Sequence, residues 1–175
     1  HQARLFVVAG AGPILRSGPL DIEGLTLNSP ATVLNQARFG TGTPVTDDLL
    51  LDFQDRLLKS GLFEQATVTL DADAARAGAA VVQVRVKEFS RHQLITGVGI
   101  SSNAGPRATI EHIDRRVMGW ALTARNKLEW GRDRQAWDGE LSTHVKEDGY
   151  RWFTGATIER LTTDTDVVLS QRLRA

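Results

Sequence analysis

The sequence predicts an α+β domain followed by antiparallel strands of a transmembrane β-barrel that this chain contains only in part. Up to about Lys87 the chain mixes strand and helix patterns, in the order β-β-α-α-β-β. After that residue nearly every pattern is a strand. These later strands run for roughly ten residues, the length that a tilted strand needs to cross a bilayer. We expect the first unit at residues 3–88 and the barrel strands at residues 91–175.

The composition excludes several classes of protein. The 175 residues carry 21 Lys and Arg against 21 Asp and Glu, and the chain has no cysteine. Because a nucleic-acid-binding surface needs an excess of positive charge, we expect no nucleic acid partner. The lack of cysteine excludes disulfides, thiol catalysis and Cys-ligated metals. The chain enters an apolar pattern at Leu5, with no signal segment or membrane helix, so we interpret it as a piece of a longer polypeptide.

Two strands and a short helix are predicted first. Arg4–Ala9 is a β-rich run that ends in a Gly- and Pro-containing turn, and Leu20–Leu25 alternates apolar and acidic residues. Ser29 followed by Pro30 is typical of a helix start, because the hydroxyl can cap the helix and proline suits its first turn. We expect this helix to end at Gly40.

A second helix has clear signals at both ends. Thr46 can cap its first turn, where two aspartates suit the helix dipole, and Lys59 lies in its last turn. Gly61 can then adopt the left-handed conformation that ends a helix. Its predicted apolar face consists of Leu50, Phe53, Leu57 and Leu58.

Two more strands, Ala66–Asp71 and Val81–Lys87, complete the first unit. A sheet with both helices on one side is the natural two-layer arrangement for this order of elements.

The second half predicts about six long strands in a meander, too few to close a membrane barrel. Turns are expected at Asn103–Pro106, Asp133–Arg134 and Asp148–Gly149, with a longer loop at Thr162–Asp166 before the strand Val167–Arg174. One face of these strands is apolar with tryptophan at the strand ends, as in barrels that face lipid. Tryptophan occupies positions 120, 130 and 137.

A soluble β-sandwich with long strands is the structural alternative for this half. The opposite face of one strand carries Arg125, Lys127 and Glu129. Three charges together suit a water-filled lumen better than the interior of a dry sandwich, which favours the barrel.

The sequence offers little support for an enzyme, a cofactor or a metal site. Phe6–Pro13 resembles the start of a dinucleotide-binding fold, but the third glycine is missing and Ser17-Gly18-Pro19 interrupts the expected helix. The four histidines lack metal-ligand spacing, and we interpret them as solvated or lumen-facing. No local motif marks a nucleophile. We therefore expect no catalytic residues, no cofactor and no metal.

Two groups of residues resemble a known superfamily. The first group resembles a POTRA domain, the periplasmic module of outer-membrane assembly proteins, which pairs a three-stranded sheet with two helices. The segment Gly97–Arg107 resembles the first barrel hairpin of TamA-type members of the BamA superfamily. The POTRA-like residues are Ile22-Glu23-Gly24, Phe39, Thr43-Pro44-Val45-Thr46, Leu57 and Ser60-Gly61-Leu62-Phe63.

This resemblance implies a protein that inserts or assembles autotransporters or other β-barrel proteins without ATP. Its implied location is the bacterial outer membrane, with the POTRA part in the periplasm. The implied partners are unfolded outer-membrane clients, the lipid bilayer and an inner-membrane-anchored TamB-like protein. A two-partner secretion transporter and a soluble periplasmic protein-binding module are the alternatives.

Two strand edges are the candidate sites. Two glycines weaken the first barrel strand, so we expect it to pair poorly with the closing strand and to form a gate where a client strand adds. A glycine kink that curves the barrel is the alternative explanation. The gate residues are Leu94, Ile95, Thr96, Gly97, Val98, Gly99, Ile100 and Ser101.

The second candidate lies within Ala66–Asp71, a short and half-polar strand that could be an exposed POTRA edge able to receive a partner strand. An ordinary core strand is the alternative there. We also expect the open edge of the incomplete barrel to pair with another copy in a crystal. The partner-strand residues are Thr67, Val68, Thr69 and Leu70.

Overall fold

The computed structural model describes residues 14–71, 78–102, 105–163 and 166–175. Within these residues the chain forms two sheets, one of three strands with two helices and one of six strands. Neither helix is long and apolar enough to cross a membrane.

The three-stranded sheet and its helices form what we call the αβ unit. Its elements are β1 (Ser17–Glu23), α1 (Pro30–Ala37), α2 (Asp47–Lys59), β2 (Phe63–Leu70) and β3 (Ala80–Glu88). The strand order is β1-β3-β2, with β1 parallel and β2 antiparallel to the central β3. The chain can place β1 beside β3 because the two helices provide the long crossover that parallel neighbours require.

The described order is β-α-α-β-β, which matches the last five elements of the predicted order β-β-α-α-β-β. The additional strand expected at Arg4–Ala9 and the glycine motif at Phe6–Pro13 lie outside the described residues. The strand predicted at Leu20–Leu25 begins earlier, at Ser17, because Ser17 pairs with Ala80 of β3.

The core of the αβ unit lies between the helices and the sheet. Phe53 and Leu57 of α2 are fully buried, as predicted, and the Phe39 ring meets Phe53 edge-on at a centroid distance of 5.4 Å. Leu50 is partly buried against this core. The prediction for Leu58 is wrong, because its side chain lies beside the buried stripe and stays 38% exposed.

The helix ends follow local chemistry. The Thr46 hydroxyl accepts a hydrogen bond from Leu49 N–H at 3.2 Å, as a capping residue should. Gly61 has φ +74°, which confirms its left-handed position. The first helix ends at Ala37 rather than at Gly40, because Arg38 turns the chain with φ 48°.

The six-stranded sheet is an antiparallel meander in the order β4-β5-β6-β7-β8-β9. Five of its strands are ten residues long, as predicted. The sheet is open, with β4 and β9 at its two edges. The strands are β4 (His92–Ser101), β5 (Gly105–Asp114), β6 (Leu122–Gly131), β7 (Arg134–Thr143), β8 (Phe153–Thr162) and β9 (Val167–Arg174).

Two turns differ from the predictions. The β6–β7 hairpin turns at Arg132 and Asp133, one residue earlier than expected, because Arg134 already pairs with Leu161 of β8. At the predicted Asp148–Gly149 turn only Gly149 has a positive φ, of 78°, so the pair does not adopt the type I′ geometry.

A three-residue connection, residues 89–91, joins the two sheets. Phe89 N–H bonds Leu62 O at 2.9 Å, which ties this connection back to the αβ unit. Glu88, the last residue of β3, accepts hydrogen bonds from the N–H groups of Thr26, Leu27 and Asn28 at 2.6 to 2.8 Å. Burial raises the pKa of Glu88, but these hydrogen bonds outweigh it and leave the pKa below its usual value.

Candidate functional site at the sheet edge and the junction cavity

The six-stranded sheet has one apolar and one charged face. Residues directly opposite each other in an antiparallel ladder share a face, so the strand register assigns each side chain to one of the two faces of the sheet. On the apolar face Val98 is 91% exposed and Leu173 is 88% exposed. The apolar face includes Leu94, Val98, Ile100, Ala108, Ile110, Leu128, Trp130, Trp137, Leu141, Ile158, Leu169 and Leu173.

The charged face carries ion pairs that cross neighbouring strands. Arg134 contacts Glu129 at 2.9 Å and Glu159 at 2.5 Å, and so joins three strands. Such a network needs water on its side of the sheet, because ions buried in a dry interior lose their hydration. The charged face includes Arg107, Glu111, Arg125, Lys127, Glu129, Arg134, Asp138, Glu140, Glu159, Arg172 and Arg174.

Exposed aromatic residues lie at both ends of the apolar face. Trp120 and Trp152 are each about 70% exposed beside the starts of β6 and β8, and Trp130 is 69% exposed at the other end of β6. Ten residues of strand span about 33 Å, or about 25 Å vertically at the usual barrel tilt, which matches a bilayer. The prediction that Trp137 lies at a strand end is wrong, because β7 begins at Arg134 and the ring lies across Gly139 inside the apolar face.

All eight predicted gate residues lie in β4, which is an edge strand. Within the described residues β4 pairs with β5 alone, so its other edge carries no strand. A side chain at Gly97 would meet the Thr109 hydroxyl at 2.7 Å, and one at Gly99 would lie 3.5 Å from Arg107. The two glycines therefore make room for side chains of β5, which cover β4 on its charged face.

The predicted partner-strand residues, Thr67 to Leu70, lie in β2, which is an edge of the three-stranded sheet in the part of the chain that the structure describes. Thr67 and Thr69 are exposed, whereas Val68 is buried in the core. The Val68 N–H donates to Gln54 Oε1 of α2 at 3.2 Å. This edge is therefore partly occupied by a side chain of the αβ unit itself.

Arg115, just after β5, connects the two sheets and was missed by the sequence analysis. The side chain is 6% exposed and donates to Gly61 O at 2.9 Å, Ser90 O at 3.1 Å and Gln93 Oε1 at 2.7 Å. Its guanidinium also lies 4.4 Å from the centre of the Phe89 ring. Burial, and then the charge of Arg125, lower the pKa of Arg115. No local pattern distinguishes this arginine, because its acceptors come from distant parts of the chain.

His144 lies in the same contact region between the αβ unit and the six-stranded sheet, which we call the junction. The prediction that it is solvated or lumen-facing is wrong, because β7 ends at Thr143 and the imidazole is 7% exposed. Nε2 lies 3.0 Å from the Arg115 carbonyl, so it carries the hydrogen. Burial lowers the pKa of His144; the hydrogen bond to Arg115 opposes this, and the charge of Arg116 adds to it.

A cavity of about 470 Å³ lies between the αβ unit and the charged face of the sheet. Its barrel side is formed by charged-face positions such as Thr123, Glu140 and Ser142. Six cationic side chains and a single carboxylate, Glu140, line it among the described residues. The cations are Arg38, Arg56, Lys59, Arg115, Arg125 and Arg151.

No metal site accompanies these features. Within the described ranges no three His, Asp or Glu side chains come together as a metal would require. The rings of His92 and His112 stack at 5.7 Å, and His92 approaches Asp114 at 4.0 Å.

Solved structures share this fold. BamA from Haemophilus ducreyi lacking POTRA domains 1–3 is similar with a TM-score of 0.61 and 14% identity, over 90% of this chain and 30% of that chain. CdiB from Acinetobacter baumannii is similar with a TM-score of 0.57 and 14% identity, over 92% of this chain and 33% of that chain. No protein family model and no curated protein sequence matches.

The chain thus spans about a third of the length of these two proteins. The comparisons confirm the predicted fold at the level of a BamA-like partial barrel that adjoins an αβ unit. They do not single out the TamA type.

Proposed function

We propose that this chain is part of an outer-membrane protein that assembles or inserts other β-barrel proteins, and that β4 is the strand on which a client strand adds. The observation that carries the proposal is an edge strand of membrane-spanning length in a sheet with one apolar and one charged face. An unpaired edge offers a row of backbone donors and acceptors to an incoming strand. The similarity to BamA supports this function at the level of fold.

In this proposal the apolar face lies against lipid, the charged face lines a lumen, and the αβ unit is a POTRA domain in the periplasm. The partners are unfolded outer-membrane clients and the bilayer, and no cofactor or catalytic group takes part. A TamA-type role would add an inner-membrane-anchored TamB-like partner. The exposed part of the β2 edge, at Thr67 and Thr69, is the proposed contact for a partner strand.

Two-partner secretion is the second candidate, since the similarity to CdiB has nearly the same extent. It would use the charged face to pass a soluble client through the lumen and would leave the β4 edge closed. The soluble periplasmic module is disfavoured, because the many exposed apolar side chains of the six-stranded sheet would aggregate in water.

A reconstituted assay separates the first two functions. The complete protein that contains this chain is placed in phospholipid vesicles, and a urea-unfolded barrel protein is added. Assembly predicts that the client folds into the bilayer about tenfold faster than in empty vesicles, a barrier lowered by about 1.4 kcal/mol. Client folding at the rate of empty vesicles, or transfer of a soluble client into the vesicle interior, would contradict the assembly function.

The membrane orientation predicts a contrast between two substitutions at the middle of neighbouring strands. Ile110→Arg puts a charge on the apolar face and should cost about 2–4 kcal/mol of unfolding free energy. Ile95→Arg puts the same charge on the charged face, directly opposite Glu111, and should cost less than about 1 kcal/mol. Urea unfolding in phospholipid vesicles measures the unfolding free energy of both variants. Equal losses of unfolding free energy would refute the assignment of the faces.

A further inference from the structure

The junction cavity has an excess of positive charge that the protein itself does not neutralise. Four of the six cations already have partners in the protein. Arg56 and Arg115 donate hydrogen bonds to carbonyl oxygens. Lys59 pairs with Asp55, and Arg125 pairs with Glu111, each at 3.3 Å. Within the described part of the chain, Arg38 and Arg151 have neither a hydrogen bond nor an ion pair. Both are exposed residues that line the cavity, and Arg38 also lines the neighbouring groove beside Gly149. Concave surfaces of one charge concentrate ligands of the opposite charge.

Two buried polar atoms at the cavity also lack a partner among the described residues. They are Nε2 of Gln36, in a side chain that is 5% exposed, and Nδ1 of His144. Buried polar groups in native proteins are nearly always paired, so a partner that reached these two atoms would stabilise them. Gln36 Nε2 donates a hydrogen bond, whereas His144 Nδ1 accepts one because Nε2 holds the hydrogen. The cavity therefore offers cations at its surface, with an unpaired donor and an unpaired acceptor buried in its wall.

The position of the cavity restricts the source of a ligand. Five of the six strand residues that line it belong to the charged face, and the sixth, Thr143, is the last residue of β7. The cavity therefore opens mainly on the side away from the lipid in the proposed membrane orientation. A simple inorganic anion would satisfy the arginines but offers little to an acceptor such as His144. A polypeptide carries both carboxylates and N–H groups, and about 470 Å³ accommodates a few of its residues.

We propose that the junction cavity binds an acidic segment of an extended polypeptide, with Arg38 and Arg151 pairing with its carboxylates and Gln36 and His144 contacting its backbone. The site differs from the β4 edge and from the β2 edge. The setting aside of lipid phosphates rests on the proposed membrane orientation, but the proposal does not depend on the assembly function, because binding can be measured without bilayer or client.

The test uses fluorescence anisotropy of labelled hexaglutamate with the detergent-solubilised complete protein. Hexaglutamate should bind, and labelled hexaglutamine should bind at least about tenfold more weakly. The double variant Arg38→Asn with Arg151→Ala should lose about tenfold in affinity for hexaglutamate. Asparagine is chosen at position 38 because it tolerates the left-handed conformation observed there.

A matched control removes two cations elsewhere. Arg85→Ala with Arg132→Ala causes the same change in net charge at two exposed side chains outside the cavity, and should leave binding unchanged. Equal weakening by both double variants, or equal binding of the two peptides, would overturn the proposal. Inorganic phosphate provides the last comparison. If it displaces labelled hexaglutamate at the same concentration as unlabelled hexaglutamate does, the cavity is a small-anion site, and the assignment to a polypeptide is overturned.

Discussion

A disulfide between β4 and the closing strand of the complete barrel is expected to abolish client assembly. One cysteine replaces Val98, near the middle of the proposed gate, and the other replaces the residue that faces it in the closing strand. Because the chain has no cysteine of its own, the cross-link is unambiguous within it. A locked edge has no free backbone groups to offer an incoming strand, so the client should fold no faster than in empty vesicles.

The control uses the same cysteine with a different partner. Val98→Cys with Ala108→Cys joins β4 to β5, which already pair at this position, and should leave the assembly rate unchanged. A reducing agent should restore assembly in the locked variant. Full activity of the oxidised, locked protein would show that the β4 edge is not the gate.

Replacing Arg115 by alanine is expected to loosen the αβ unit from the sheet. The change leaves the carbonyls of Gly61 and Ser90 and the amide of Gln93 without their buried donor. Because Gly61 and Ser90 are exposed residues whose carbonyls water can reach, the contact between the two sheets should weaken by about 1–3 kcal/mol in total. Spin labels at Asp55 and Glu147, on opposite sides of the junction, should give a broader distance distribution in the variant.

Arg91→Ala is the matched control for this variant. Arg91 lies in the connection between the two sheets, residues 89–91, and pairs with Asp114 at 3.4 Å, but its side chain is 42% exposed. An exposed pair contributes about 0–1 kcal/mol, so this variant should keep the narrow distribution. Arg115→Lys should be intermediate, because an ammonium group retains the charge but carries its donors on one nitrogen, which cannot reach all three acceptors as the planar guanidinium does. Equal distributions for Arg115→Ala and the unchanged protein would refute the role of Arg115.

The predictions from sequence were accurate where the cause of a structure is local. The end signals of α2 are an example, since a cap such as Thr46 and the turn at Gly61 depend on a few neighbouring residues. The six long strands were predicted for a similar reason, because alternation with a period of two fixes which side chains share a face. The β6–β7 turn was misplaced by one residue, because the pairing of neighbouring strands sets where a hairpin ends.

For the candidate sites, too, the sequence predicted local features but not those that depend on strand pairing. The proposed gate residues were chosen from two glycines in a strand pattern, and within the described residues the fold places that strand at an edge. That Gly97 and Gly99 make room for Thr109 and Arg107 could not be predicted, because it depends on the register between β4 and β5.

By itself the sequence determined the chemistry of each strand face, the two helices of the αβ unit and the ten-residue length of the later strands, because these properties repeat along the chain. The tertiary structure alone decided the contacts of Arg115, the burial of His144 and the cationic cavity between the sheets. Their components lie up to about a hundred residues apart, as Asn35 and Val145 do when they bond across the junction at 3.1 Å. Such groups meet only when two separately patterned units pack together, and no local periodicity encodes that packing.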